Sequence, residues 1–320
     1  MTQLSRRAVL TGAAALAATP ALASAPLAGK QAPGYYRYKL GDFELTQLAD
    51  GAATFAMPDN FVANVPKDKA LAEAARNFIA GPGQIRVPFS PVLINTGSKL
   101  VLIDTGYGPN IGPVVGHLPA SLAAAGITPD QIDTVVISHL HPDHINGLKT
   151  KDGGLAFPKA EIMMPENDWK FWMSDENAAK ANDPVNKAYF ANTRKVLSDL
   201  TGKVTMYTPG KEVVSGITAI DTAGHTPGHC SFAVASGKSS MFVQCDVTNI
   251  PAFFLSHPDW HVIYDHDANQ AERTRRKFYD MVAKEKSLIV GYHFPFPCLG
   301  HVEKVGKNYR LIPVGWSDML

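Results

Sequence analysis

Four residues of metal-ligating type fall within six positions, in the run His139, Leu140, His141, Pro142, Asp143, His144, and this density constrains the fold more than any other feature of the chain. In an extended segment, residues two apart point the same way. His139 and His141 can therefore face one ion together from the end of a strand. Pro142 then turns the chain, and Asp143 and His144, opening a helix, can aim at a second ion beside the first. Neutral imidazoles and carboxylates are ligands that zinc accepts, and manganese, cobalt and iron accept them too. The preceding Thr134 to Ser138 is a β-branched run of the kind that forms a buried strand, so the fold must deliver the C-terminal end of that strand to the site.

One run does not complete a two-ion site, and ligands are needed from the opposite side. Candidates stand at the ends of further predicted strands: His225 and His229 within Ala223-Gly224-His225-Thr226-Pro227-Gly228-His229, Asp246 after Cys245, and His293 after Gly291. Any of the 11 histidines taken alone is better read as a surface or satisfied core residue, and for His117, His257, His261, His266 and His301 that reading stands.

The pattern around these motifs is β-rich with interspersed helices. Strands are expected at 36–40, 43–48, 91–95, 100–104 and 134–138, with an alanine-rich helix at 118–125 ended by Gly126. The segment 166–200 carries Trp169, Phe171, Trp172, Tyr189 and Phe190 at helical spacing and reads as an inserted helical cap. Strands return at 204–207, 217–221, 231–235 and 240–245, followed by a long helix near 269–284 and a strand at 287–291. Two β-rich halves, each covered by helices on its outer side, predict an α/β sandwich of two packed sheets.

A composition of 45% hydrophobic and 18% charged residues fits a folded globule, and a net charge of +1 without a Lys/Arg run makes nucleic acid or an anionic membrane a poor electrostatic partner. A neutral or weakly charged small molecule is the expected partner. Arg6 and Arg7 precede an apolar stretch from Ala8 to Ala18, with Ala21 and Ala23 offering a cleavage site. Residues 1–25 thus resemble a twin-arginine export signal and predict a periplasmic protein, with a linker at 26–34 and a catalytic domain at 35–320. Cys230, Cys245 and Cys298 are odd in number and lack C-x-x-C spacing, so they read as buried packing residues before they read as ligands.

The order H-x-H-x-D-H, then T-P-G-H, then a strand-ending Asp, then a late His resembles the metallo-β-lactamase superfamily, and Asp104-Thr105-Gly106 matches its first motif. The stretches 32–50, 95–106 and 293–302 further resemble methyl parathion hydrolase and its organophosphate-hydrolase and lactonase relatives. The resemblance covers essentially the whole mature chain and implies an αββα sandwich and a homodimer. It also implies a site of two divalent ions, zinc first among them. By carry-over, His139, His141 and His229 hold one ion, Asp143, His144 and His293 the other, and Asp246 bridges. Asp104 would orient a ligand histidine through its other ring N–H, and His225 matches no ligand, which implies a supporting role.

The implied chemistry is hydrolysis of organophosphate triesters, and of aryl esters or lactones, by a water that the two ions share and activate. An acyl-homoserine lactonase is the alternative. Asp143 is the candidate proton shuttle to an alkoxide leaving group. By resemblance Trp172 and Phe190 line the pocket entrance, with Phe55 and Met57 as further wall candidates. Ile111 and Asn249 are further pocket candidates by the same resemblance, and there the chain departs from the family pattern, which has an aromatic at the first position and an apolar residue at the second.

Overall fold

The structure is a computed structural model that describes residues 27–29, 31, 32, 34–79 and 81–320. The expected export signal lies outside the described residues, and the expected linker is described only in part. Strand formation starts with the hairpin of β1 (Tyr35–Leu40) and β2 (Phe43–Leu48), joined through Gly41 in the left-handed region, φ 59°. Such a tight two-residue connection calls for positive φ, which glycine adopts without a Cβ clash.

The first sheet continues with β5 (Val92–Asn95), β6 (Leu100–Ile103), β7 (Thr134–Val136), β8 (Glu161–Pro165) and β9 (Thr205–Tyr207), in the order β1-β2-β5-β6-β7-β8-β9. From β6 onward the pairs are parallel, so each connection must cross over the sheet and carries helix. Helix α2 (Leu118–Ala124) links β6 to β7, and α3 (Pro142–Ile145) follows β7. The cap between β8 and β9 contains α4 (Glu166–Trp172), α5 (Asp175–Lys180) and α6 (Pro184–Leu197). The expected insertion at 166–200 is therefore a set of helices occupying one crossover.

The second sheet has the order β10 (Glu212–Val214), β11 (Ile217–Asp221), β12 (Cys230–Ser236), β13 (Ser239–Val243), β14 (Leu288–Val290), β15 (Leu299–Val305) and β16 (Asn308–Pro313). Only β13–β14 is parallel, and that crossover is α8 (Ala268–Glu285). Outside both sheets, β3 (Gly51–Ala56) and β4 (Gln84–Phe89) form a separate hairpin, accompanied by α1 (Lys67–Arg76) and α7 (Pro251–Phe254). The sequence pattern suggested neither this hairpin nor β8, β10, β15 and β16. All these elements belong to the unit Pro33–Leu320.

Alternation of side chains explains why the central strands are apolar throughout. In β6, Val101 and Ile103 enter the core between the sheets with Phe232, Val234 and Met241, whereas Leu102 faces Leu118, Leu122 and Trp172 under the outer helices. A strand buried on both faces has no polar face to show. A third cluster, around Phe61, Ile85, Phe253 and Trp260, sits beneath the separate hairpin. The three cysteines are buried and unpaired, and no described helix is long and apolar enough to cross a membrane.

One charged residue ties α8 to the loops that follow β13. Arg275 is 1% exposed and donates to the carbonyls of Val247 (3.1 Å), Pro258 (2.9 Å) and Trp260 (3.0 Å) and to Asp265 Oδ2 (3.3 Å). Removing this guanidinium strands a buried carboxylate and three carbonyls. Arg275→Met should lower the unfolding free energy by about 3–5 kcal/mol, read from urea denaturation of the metal-free protein at neutral pH, and a loss below about 1 kcal/mol would contradict this role.

Candidate metal centre

The two sheets and their crossovers converge on two groups of side chains whose ligand atoms lie within 4.8 Å of one another: His139, His141 and His225 in one, Asp143, His144, Asp246 and His293 in the other. His139 and His141 follow β7, Asp143 and His144 open α3, Asp246 follows β13, and His293 follows β14. The Asp246 carboxylate stands between the groups. Its Oδ2 is 3.0 Å from His293 Nε2 and 3.4 Å from His225 Nε2, while its Oδ1 is 3.4 Å from His144 Nε2. Asp143 Oδ2 lies 3.5 Å from both His144 and His293.

The donor set fits divalent metal ions. His139 Nε2, His144 Nε2, His225 Nε2 and Asp246 Oδ1 are all buried without a hydrogen-bond partner, in an interior where unpaired polar atoms are rare and costly. Neutral imidazole and carboxylate are the ligand chemistry of zinc, manganese, cobalt and iron alike. The arrangement is therefore a pair of His/Asp metal-binding clusters that share one carboxylate.

Geometry corrects one expectation about the first cluster. His225, read from the sequence as a supporting residue, completes the group with His139 and His141, and His229 does not. The His229 ring has both nitrogens engaged, since Nδ1 lies 2.9 Å from Thr222 Oγ1 and 3.1 Å from its carbonyl, while Nε2 accepts the Asp246 backbone N–H at 3.0 Å. A ring nitrogen that accepts a hydrogen bond has no lone pair left for an ion. His229 instead staples the start of β12 to Asp246, and burial holds it neutral, down to about 3.

Supporting hydrogen bonds fix the ligand rings by their other nitrogens. Asp104 accepts from His144 Nδ1 and Ser138 Oγ, both at 2.8 Å, and from the Ser138 N–H. Asp265 accepts from His225 Nδ1 at 2.9 Å, and the Pro88 carbonyl accepts from His293 Nδ1 at 2.8 Å. Asp104 and Cys245 adopt left-handed backbone, φ 62° and 51°, conformations that cost about 1–3 kcal/mol each in non-glycine residues and cluster at functional sites. Sequence reasoning missed Asp265, since nothing local marks a residue 40 positions from its partner.

It also missed Asp168. This fully buried carboxylate of α4 accepts the Leu140 N–H at 2.8 Å and the Gly228 N–H at 2.7 Å. It thus clamps the loop between His139 and His141 to the loop between His225 and His229. Gly228 permits the approach, because a Cβ there would stand 2.2 Å from the Asp168 nitrogen.

The electrostatics follow from burial among like and unlike neighbours. Burial and the adjacent imidazoles hold His139 and His141 well below the ordinary range, so both rings are neutral and ready to coordinate. Against the effect of burial, Asp246, Asp104 and Asp143 hold His144 well above it. Against burial likewise, His293 and His144 hold Asp246 ionised, well below the usual carboxylate range.

A pocket of about 80 Å³ opens beside both clusters, and its walls are Ala53, Phe55, Val87, Phe89, Tyr107, Tyr189, Asn249 and Tyr264. Phe55 and Asn249 lie where the sequence reading has them. Trp172 and Phe190 do not line this pocket, for both are buried in the core beneath the cap, and the cap presents Tyr189 instead. Met57 is buried in the cluster with Phe61. Ile111 is exposed and borders a separate cleft with Lys149 and Asp199. The hairpin that supplies Phe55 and Phe89 was invisible as an element in the sequence, which is why most of the wall was missed.

Residues 90–293 match the family Metallo-beta-lactamase superfamily, and the chain belongs to that superfamily. It is similar to the solved structure of hydrolase AbOPH in the beta lactamase superfamily, at 30% identity and a TM-score of 0.84 over 90% of this chain and 100% of that one. AidC, a dizinc quorum-quenching lactonase, is similar at 27% identity and a TM-score of 0.83, over 89% and 99% of the two chains. The N-acyl homoserine lactonase AiiB of Agrobacterium fabrum is 26% identical over 182 residues, which is 50% of this chain and 62% of the lactonase, less than two thirds of its length.

Two measurements separate His225 from His229. After loading with zinc, His225→Ala should retain about one ion per chain fewer than the unaltered protein, counted by elemental analysis after dialysis, whereas His229→Gln should retain as many. The His229 ring, held near 3 in the fold against 6.5 ordinarily, takes its proton first in the unfolded chain. Its stabilising contribution is present above about pH 6.5 and is lost as pH falls toward 3, at about 1.4 kcal/mol per pH unit. His229→Gln should flatten the acid limb of the metal-free protein by about that slope in urea titrations between pH 6 and 4; an unchanged slope would contradict a buried neutral ring.

Proposed function

We propose that the chain is a binuclear metal-dependent hydrolase of carboxylic esters, with lactones as its substrate class. The observation that carries the proposal is the Asp246 carboxylate set between two clusters of ligand side chains at a pocket, with His139 Nε2, His144 Nε2, His225 Nε2 and its own Oδ1 buried without partners. The dizinc lactonase and the acyl-homoserine lactonase among the similar proteins support the choice of ester.

In this reading His139, His141 and His225 hold one ion, Asp143, His144 and His293 the other, and Asp246 serves both. Zinc is the proposed metal. Bound ions would supply Lewis acidity and a nucleophilic water near neutral pH. Around them the chain orients and excludes. Asp104 and Asp265 fix the rings of His144 and His225, and Asp168 holds the two ligand loops in register. Asp143, whose side chain is 13% exposed and reaches the pocket, is placed to pass a proton to a departing alkoxide, which leaves poorly without one.

A second reading is cleavage of organophosphate triesters in the manner of methyl parathion hydrolase. It is favoured by the aromatic side of the pocket, where Phe55 and Phe89 could pack an aryl group, and by the sequence stretches noted above. A periplasmic location, from the paired arginines, and a homodimer belong to the same proposal.

Assaying one zinc-loaded preparation on a lactone, a phosphotriester, a β-lactam and a thioester tests these readings. The lactone should give the highest kcat/KM, chelation should abolish turnover, and added zinc should restore it. A tenfold preference for the triester would replace the first reading with the second. His141→Ala and Asp246→Ala should each abolish hydrolysis of lactone and triester alike, and normal turnover by either variant would sink the two-cluster mechanism.

A further inference from the structure

Strand β4 has a pocket on each side. Successive side chains of a strand point to opposite faces, so Val87 and Phe89 turn to the pocket beside the metal clusters, while Arg86 and Pro88 turn to a larger cleft of about 570 Å³. His293 is the one residue common to both linings, and it is buried. The cleft is therefore a separate space from the pocket of the metal centre.

Its walls are apolar and its charges are of one sign. Ile250 and Pro251 are buried, Ile79 and Leu311 are half-buried, and Phe78 and Phe296 are 91% and 43% exposed. The charged residues of the lining are Arg86 and Arg310, and no carboxylate lines the cleft among the described residues. Arg310 is answered by Glu303, at 2.5 and 3.0 Å. Arg86 has no such partner: its hydrogen bond among the described residues is a long one, 3.4 Å, to Thr54 Oγ1. A guanidinium beside an apolar surface, with no anion of its own, is half of a recognition site, because its planar fork matches a carboxylate.

Phe78 supplies a second, independent observation. Helix α1 ends just before it, with the Ile79 N–H bonded to the Ala74 carbonyl at 3.1 Å, and Phe78 takes the left-handed conformation, φ 53°. Glycine is the residue this position favours, because a Cβ is crowded there. An aromatic at the same place carries backbone strain and leaves its ring in water, and Phe78 packs in none of the three core clusters. What the ring does face is the cleft.

Two arginines repel a cationic ligand, and the apolar walls give nothing to a strongly hydrated inorganic anion. The volume falls within the roughly 300–1,000 Å³ of small-molecule pockets. We propose that this cleft is a second, non-catalytic binding site for small amphipathic monocarboxylates, which pair their carboxylate with Arg86 and lay their apolar body against Phe78, Phe296 and Ile250. The site stands on these residues and is independent of which ester the metal centre cleaves.

The test titrates the zinc-loaded protein with octanoate and with octanamide, its neutral counterpart, by calorimetry. Octanoate should bind about tenfold more tightly, the difference expected of one charge-assisted hydrogen-bonded pair. Arg86→Gln should bring octanoate to the level of octanamide. Phe78→Gly, which keeps the left-handed turn and removes the ring, should weaken both ligands by about fivefold. Both positions are exposed and remote from the ligand side chains, and each variant is checked for full zinc content. Octanoate held by the zinc ions instead would be indifferent to both substitutions, so an affinity unchanged in both variants overturns the proposal. Octanoate binding no more tightly than octanamide to the unaltered protein overturns it as well.

Discussion

A carboxylate buried among imidazoles is the constraint around which this molecule is built. Asp246 is surrounded by His144, His225 and His293 within 3.4 Å of its oxygens, and its backbone N–H is taken by His229. Burial of so many polar groups is tolerable only where each has a partner or is held ready for one. The fold meets that demand by bringing the ends of β7, β13 and β14 to one edge of the sandwich, so that ligands far apart in sequence arrive on rigid supports. At the centre itself, His139 Nε2, His144 Nε2, His225 Nε2 and Asp246 Oδ1 are buried without a hydrogen-bond partner among the described residues.

The supporting interactions show how the rigidity is distributed. Asp104, Asp265 and Asp168 each satisfy two or more donors, and each bridges elements that the chain connects only distantly. Asp265 is itself held by Arg275 of α8, which also bonds the Val247 carbonyl one residue beyond Asp246. One helix therefore supports a ligand histidine and the shared carboxylate together. The cap has a similar double use, for α4 supplies the Asp168 clamp and α6 supplies Tyr189 to the pocket. The inserted segment 166–200 is thus in large part a buttress for the ligand loops.

The separate hairpin matters for a different reason. Its strands add nothing to either sheet, yet it provides the apolar half of the pocket and the Pro88 carbonyl that orients His293. Substrate shape and ligand geometry are thus coupled through one small element. The wall opposite is assembled from four unrelated segments, which allows its chemistry to vary without disturbing the metal clusters.

Much was legible in the sequence because it was local. The H-x-H-x-D-H run determined by itself that a strand must end, turn and begin a helix at a metal site, and unbroken apolar stretches such as Leu100–Ile103 determined that strands would be covered on both faces. Those signals depend on backbone periodicity and on the few residue types that hold metal. The choice between His225 and His229 could not be made that way. Both lie in one short loop, and only the packing of Thr222 and Asp246 around the second ring, with Asp265 behind the first, decides which has a free nitrogen. The same holds for Asp168, Arg275 and the pocket tyrosines, since a hydrogen bond between residues dozens of positions apart leaves no periodic trace. The sequence determined the chemistry on offer, and the tertiary structure decided which atoms are free to perform it.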